Sequence, residues 1–226
     1  MHSFPPPPRP LRPVRGFATG AVVALGITSL ADTVWMLGGP DIGAALKRMS
    51  EDGFLLDWSD LPAVAMLFLR PLAYAVGGVA FLVWLFRARA NAETLSRVPH
   101  RWFRIFIVLG WFLPVVNWWL PRQIVDDVWA SSRPGGLRGE QIGGEMRSWL
   151  VWAWWVSWLL GVWVLPLASG ALLAMGGRFS SGGTRWWHLF LLSPTLLAAV
   201  LAILVVLRIT RRQEDRRVWI SEGSWP

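Results

Sequence analysis

Residues 111–123 read WFLPVVNWWLPRQ. The run is apolar enough to enter lipid, yet two prolines and an asparagine interrupt it, and its reading decides how often the chain crosses a membrane. Pro114 removes a backbone donor and crowds the preceding turn, while Pro121 stops one helix or starts the next. Broken backbone is tolerated at membrane depth only where protein or a water-filled cavity satisfies it. Asn117, with two donors and an acceptor, is equipped to do so. Beyond Pro121, Ile124, Val125, Val128 and Trp129 share one helical face and Arg122, Gln123, Asp126 and Asp127 take the other. That is the pattern of a short interfacial helix with a solvated polar side.

The rest of the chain supplies the context. Of 226 residues, 54% are hydrophobic and 16% charged, against about 25% charged in an ordinary soluble domain. There are 18 tryptophans and one tyrosine, and tryptophan is enriched where hydrocarbon meets headgroups. Both observations point to an all-α integral membrane protein. The absence of cysteine excludes disulfides, cysteine metal sites and thiol catalysis. A net charge of +8 raises the question of nucleic acid, but the 22 basic residues fall almost wholly between apolar runs. There they serve as anchors beside anionic lipid at the cytoplasmic face, so no nucleic-acid partner is expected.

Residues 1–15, with six prolines and three arginines, read as a disordered Pro/Arg-rich tail, or alternatively as a ligand for an SH3-like groove. Apolar segments follow at about 16–37, 61–86, 102–120, 149–175 and 186–207. Those of about 20 residues span the ~30 Å hydrocarbon core. Residues 38–60 read as a short acidic loop and 176–185 as a glycine-serine loop. Residues 16–211 form the polytopic membrane domain, and 212–226 a cytoplasmic tail. The first segment also admits a secretory-signal reading, with Ser29, Leu30 and Ala31 as the cleavage site, although its apolar character continues to Leu37. Trp149, Trp152, Trp155 and Trp158 recur every three residues, as lipid-facing or packing bulk on one helix face.

Counting Lys and Arg threads the chain, because short cytoplasmic loops carry the excess. The N-terminal tail has three, 38–60 two, 87–101 four, 121–148 four, 176–185 two and the end from Arg208 five. With five crossings, the four-charge 121–148 connection and the five-charge C-terminus both fall outside. With four full crossings and a proline-broken third segment that re-enters or lies along the interface, every rich connection falls inside, with both termini cytoplasmic. The second threading is favoured; five crossings with a merely kinked third helix is the alternative.

Asp32 and Arg70 are the formal charges well inside strong crossings, and each costs a few kcal/mol unpaired. Asp32 lies 15 residues from Phe17 and Arg70 lies 16 from Phe86, so both stand roughly 22–24 Å above the inner helix ends. An intramembrane ion pair is expected, as a clip between helices or alternatively as a substrate or proton site. His2, His100 and His188 are far apart and in no metal-binding spacing. Asp126 and Asp127 point about 100° apart on a helix, which disfavours a shared cation. No metal, cofactor or catalytic residue is expected.

FLVWLFRARANA at 81–92 and WFLPVVNWWLPRQIVDDVWASS at 111–132 resemble the signature blocks of a bacterial integral-membrane family known as domain of unknown function 4328. The resemblance covers roughly 17–207 and implies a multipass protein with a proline-rich N-terminus and no established activity. Matching positions are Trp84, Arg87, Ala88, Asn91, Trp111, Pro114, Asn117, Pro121, Gln123 and Trp129. Phe86 stands where tyrosine is expected and Arg122 where an aromatic is usual. Arg87 and Asn91, one turn apart, are placed to bond carbonyls freed by Pro114 and Pro121, which with Asp127 would make one inner-face constellation.

The expected function is a non-enzymatic polytopic membrane module that binds a lipid headgroup, small ligand or partner protein in a bacterial cell membrane. The alternative is a small transporter or channel subunit, which would need a homo-oligomer or a membrane protein partner. An intramembrane enzyme would need a nucleophile with a base, and the sequence offers none.

Overall fold

The computed structural model describes residues 10–38, 42–51, 57–96, 100–133, 148–175 and 181–221, and every regular element among them is a helix. The proline run 5–8, His2, and Arg9, Arg97, Arg138, Arg147 and Arg178 of the charge count lie outside the described residues. In order the elements are α1 (Arg15–Gly38), α2 (Ile42–Glu51), a 3-10 turn (Trp58–Asp60), α3 (Leu61–Leu95) and α4 (Phe106–Phe112). A second 3-10 turn (Val116–Trp118) leads to α5 (Leu120–Ser131), α6 (Trp149–Leu159), a π-helical turn (Leu160–Val164), α7 (Leu165–Ala174) and α8 (Ser181–Ser221). Among the described residues, four stretches are long and apolar enough to cross a membrane: Arg15–Met36, Trp58–Leu95, Trp149–Leu172 and Leu192–Ser221. The third sequence segment is not among them, being broken into α4, a turn and α5. The protein is membrane-embedded, with four helices among the described residues long and apolar enough to span and a proline-broken segment between the second and the third.

The chain divides into two compact units. The second comprises residues 23–79 and 154–200. On α1 its exposed large apolar residues are Val23, Ile27, Leu30 and Val34, one stripe at helical spacing, while Ala24, Thr28 and Asp32 are buried. Large apolar side chains outward and small or polar ones inward is the arrangement expected where the solvent is lipid. Thr28 Oγ1 donates to Ala24 O and Ala73 O, both at 2.9 Å, and lies 2.7 Å from where a Cβ on Gly77 would stand. Glycine is what lets α3 approach that closely.

Proline is handled locally. Pro194 denies Phe190 O its usual donor, and Ser193 Oγ supplies a bond to it at 2.9 Å. Pro166 cannot donate to Val162, and the turn before it, Leu160–Val164, is π-helical, with the Leu165 amide bonded to Leu160 O. Shifting the register ahead of the proline takes up that break. Residues 38–60, read as a loop, contain α2, whose Arg48 pairs with buried Asp60 at 2.6 Å. Trp149 is exposed, whereas Trp155 is buried and stacks on Trp158 at 4.8 Å.

The first unit comprises residues 1–22, 80–153 and 201–226. Its core takes Leu11 and Val14 from the chain leading into α1, Ala18 from α1 and Phe81, Trp84, Leu85, Ala88 and Ala92 from the end of α3. To these α5 adds Ile124, Val125 and Val128, and α8 adds Val205, Val206 and Ile209. α8 starts at Ser181 and continues to Ser221, beyond the 186–207 of the sequence reading. Its extension is held by Gln213, which is buried, and by an Arg217–Glu214 pair at 2.7 Å.

Candidate functional site

The broken segment lies wholly inside the first unit and turns back on itself. α4 ends at Phe112, and Leu113 is extended (φ −82°, ψ 111°), as the residue before a proline prefers. The lost ladder is patched from Asn117, whose amide donates to Leu113 O at 2.8 Å and whose Nδ2 donates to Trp111 O at 3.1 Å. α5 then starts with Pro121 in its first turn. It packs so closely on α4 that a Cβ on Gly110 would stand 2.4 Å from Leu120 Cδ2.

Two side-chain bonds close the mouth of this hairpin. Arg101 Nε donates to Asp127 Oδ1 at 2.9 Å, and Trp102 Nε1 donates to Gln123 Oε1 at 2.9 Å. Arg89, almost fully buried, ties the mouth to α3: it donates to Trp102 O and to Glu93 Oε1, and Glu93 also pairs with Arg104. Arg89 Nη1 is buried with no hydrogen-bond partner among the described residues.

Behind the mouth is a polar knot. Asn91 accepts from the Arg12 amide at 2.9 Å and donates to Arg12 O at 2.8 Å. Asn91 Nδ2 also reaches Gln213 Oε1 at 3.3 Å, and Gln213 Nε2 donates to Ala88 O and Ser132 Oγ, each at 2.9 Å. Trp84 Nε1 donates to Thr210 Oγ1 at 3.0 Å. Glu214 Oε1 accepts the Val14 amide at 2.8 Å and the Arg15 amide at 3.2 Å, so a carboxylate of α8 caps the first turn of α1.

Two expectations are corrected here. Asn91 does not serve carbonyls freed by the prolines; its partners are the chain entering α1 and Gln213 of α8. Arg87 sets its guanidinium 4.9 Å over the Phe17 ring. The polar side of α5 is not solvated: Arg122, Asp126 and Asp127 are each buried. Arg122 Nη1 donates to Asp126 Oδ2 at 2.7 Å and lies 4.3 Å over the Trp152 ring, and internal pairing of this kind is what makes their burial tolerable. Of the motif aromatics, Trp84 and Trp129 are buried, Trp129 beneath Arg212, and Trp111 meets Phe81 edge-on. Pro114 is exposed, while Pro121 is buried near Gly110.

The sequence reading missed Arg12, Arg89, Glu93, Arg101, Trp102, Ser132 and Gln213. Arg89 stands between the two motif residues Arg87 and Asn91, and a buried arginine there had no signal in its spacing. His100 is far from the other histidines in sequence, yet its Nε2 lies 3.5 Å from Ser131 Oγ, on the helix that carries Asp127. The trio is poorly suited to nucleophilic chemistry. Ser131 is fully buried and donates to Asp127 O at 2.8 Å, while Asp127 is engaged by Arg101. Burial, with Arg89 beside it, pushes His100 down to about 4, which makes it a weak base.

In the second unit the structure brings Asp32 and Arg70 together, with Arg70 Nε 2.9 Å from Asp32 Oδ1. Tyr74 donates its hydroxyl to Asp32 Oδ2, and the Arg70 guanidinium lies 5.5 Å over Trp35 and 5.7 Å over Tyr74.

No curated protein and no solved structure matches the chain. A family model does, over residues 49–211, which takes in all of α3, the hairpin and most of α8. The chain belongs to the family described as domain of unknown function (DUF4328).

Proposed function

We propose that the protein is a non-enzymatic multipass module of the bacterial cell membrane, with both termini cytoplasmic, whose hairpin unit binds an anionic lipid headgroup. The observation that carries this reading is the closed mouth. Arg101 with Asp127 and Trp102 with Gln123 bring entry and exit of the broken segment to one place, in the unit that also holds the Val14–Glu214 contact. A chain with four crossings has its ends on one side, and the Lys and Arg excess assigns that side to the cytoplasm.

Affinity for anions is supported by the charges at the mouth. Arg89, Arg101 and Arg104 face two carboxylates, Glu93 and Asp127, leaving one positive charge over. Phe103 and Ile105 are exposed beside them, apolar groups suited to acyl chains next to a bound headgroup. The test is native mass spectrometry of protein extracted from membranes holding both anionic and zwitterionic phospholipid. Preferential retention of the anionic lipid is expected; equal retention of both would contradict the reading.

A second reading, a small transporter or channel subunit, draws on Asp32, a buried carboxylate inside a spanning helix. It requires an oligomer, because four crossings enclose little volume. Its test is the mass of the purified particle after subtraction of detergent.

A further inference from the structure

Several arginines of the hairpin unit meet a carboxylate, as Arg101 does with Asp127 and Arg122 with Asp126. One face gathers arginines that do not. Arg208, Arg212 and Arg216 are spaced four apart on α8, so they share a side of the helix over about 12 Å. Arg133, just past the end of α5, joins them: Arg216 Nη2 donates to Arg133 O at 2.7 Å, and both Arg133 and Arg208 lie close enough to Arg212 to repel it. None of the four has a carboxylate partner among the described residues. The acids nearest in sequence are engaged elsewhere, Glu214 with Arg217 and the Val14 amide, and Asp215 with Arg211.

Like charges four apart destabilise a helix by a few tenths of a kcal/mol per pair. General cytoplasmic anchoring needs positive charge near the surface, but it does not need three arginines on one face meeting a fourth from another element. Nor does it need the floor provided here. The Arg212 guanidinium lies 4.3 Å over the Trp129 ring, which holds it in place, and its Nη1 is buried with no hydrogen-bond acceptor among the described residues. The face begins directly after Leu207, where the apolar run of α8 ends.

We infer that Arg133, Arg208, Arg212 and Arg216, over Trp129, form a binding site for an anion carrying two phosphate groups. Guanidinium forks match phosphate oxygens two at a time, and four forks spread along the helix suit two phosphates better than one. The inference rests on the reading of this unit as a headgroup-binding surface and assigns that reading its ligand class. A lipid with two phosphates in its headgroup and a soluble diphosphate share this chemistry.

The experiment uses the full chain in phosphatidylcholine nanodiscs. Three additions are compared: cardiolipin, with two phosphates; phosphatidylglycerol, with one; and inorganic pyrophosphate against inorganic phosphate. Retention is read by native mass spectrometry and binding by titration. The expected result is preference for the two-phosphate partner, weakened about tenfold in R208Q/R212Q and retained in K47Q, which removes an exposed charge outside the hairpin unit. The R208K/R212K variant, which keeps the charge and loses the forks, should bind both lipids with little preference, and it serves if the glutamine variant does not fold.

Cardiolipin preference assigns the site to lipid; pyrophosphate preference without it assigns the site to a soluble diphosphate. Anionic-lipid retention that survives R208Q/R212Q and falls in R104Q would overturn this site and leave the headgroup reading standing. Retention of no anionic lipid, with no pyrophosphate binding, would overturn both.

Discussion

Arg101 and Asp127 are 26 positions apart, and Nε of the first lies 2.9 Å from Oδ1 of the second. Between them the chain runs through α4, turns at Pro114 and Asn117, and returns through α5, so this contact defines the hairpin. Asp127 is more deeply buried than its partner, whose side chain is 45% exposed. D127N should therefore cost about 1 kcal/mol, the lower end of a charged hydrogen bond after solvent screening. The unfolding temperature in detergent measures it. R101Q/D127N should cost little more than D127N alone; twice the single cost would show that the two residues act independently.

Asp32 and Arg70 form the equivalent contact inside a spanning region. Removing one charge strands the other at about 2–4 kcal/mol on insertion scales. D32N should lower assembled yield and thermal stability, and D32N/R70Q should recover part of the loss. A double variant no better than D32N would mean that pairing contributes nothing.

His100 confers a pH dependence whose sign follows from burial. Its folded value lies near 4 and its ordinary value at 6.5, so the unfolded chain binds the proton and the folded chain resists it. Stability is fully present above pH 6.5 and declines as pH falls from 6.5 towards 4. H100N should flatten the unfolding-temperature profile in that window. A profile that keeps its slope in H100N would assign the dependence to other groups.

Two glycines separate tolerable from intolerable crowding. A Cβ on Gly161 would meet the Thr195 backbone nitrogen at 3.1 Å and Cα at 3.3 Å, as well as its methyl at 2.6 Å; on Gly110 the near contact is the end of the Leu120 side chain. Side chains change rotamer and backbone does not, so G161A should cost about 1–3 kcal/mol and G110A less. Chemical denaturation in detergent checks the order, and the reverse order would contradict the packing described.

Much of this architecture was legible because lipid imposes simple rules. Twenty apolar residues make a crossing, and Pro114 with Asn117 marks backbone that needs outside partners. Charge counting then chose between four and five passes. What was not legible follows from tertiary pairing. The polar face of α5 reads as solvated because Arg122, Asp126 and Asp127 are charged, and only the positions of Trp152 and Arg101 reveal how they are satisfied. Gln213 sits in a run of charged residues that looks like a tail, and its burial depends on Ala88 and Ser132, more than 80 positions away. α2 was hidden by its acidic neighbours, and the partner of Asn91 by the proline-rich approach to α1.

The central claim, that the broken segment returns to the side it entered from, has a direct test in this cysteine-free chain. Single cysteines replace Arg104, before α4, and Arg133, after α5. A membrane-impermeant maleimide is applied to intact cells and to inverted vesicles, with a permeant reagent confirming that both thiols react. The account predicts labelling of both positions in inverted vesicles and of neither in intact cells; labelling of the two from opposite sides would contradict it.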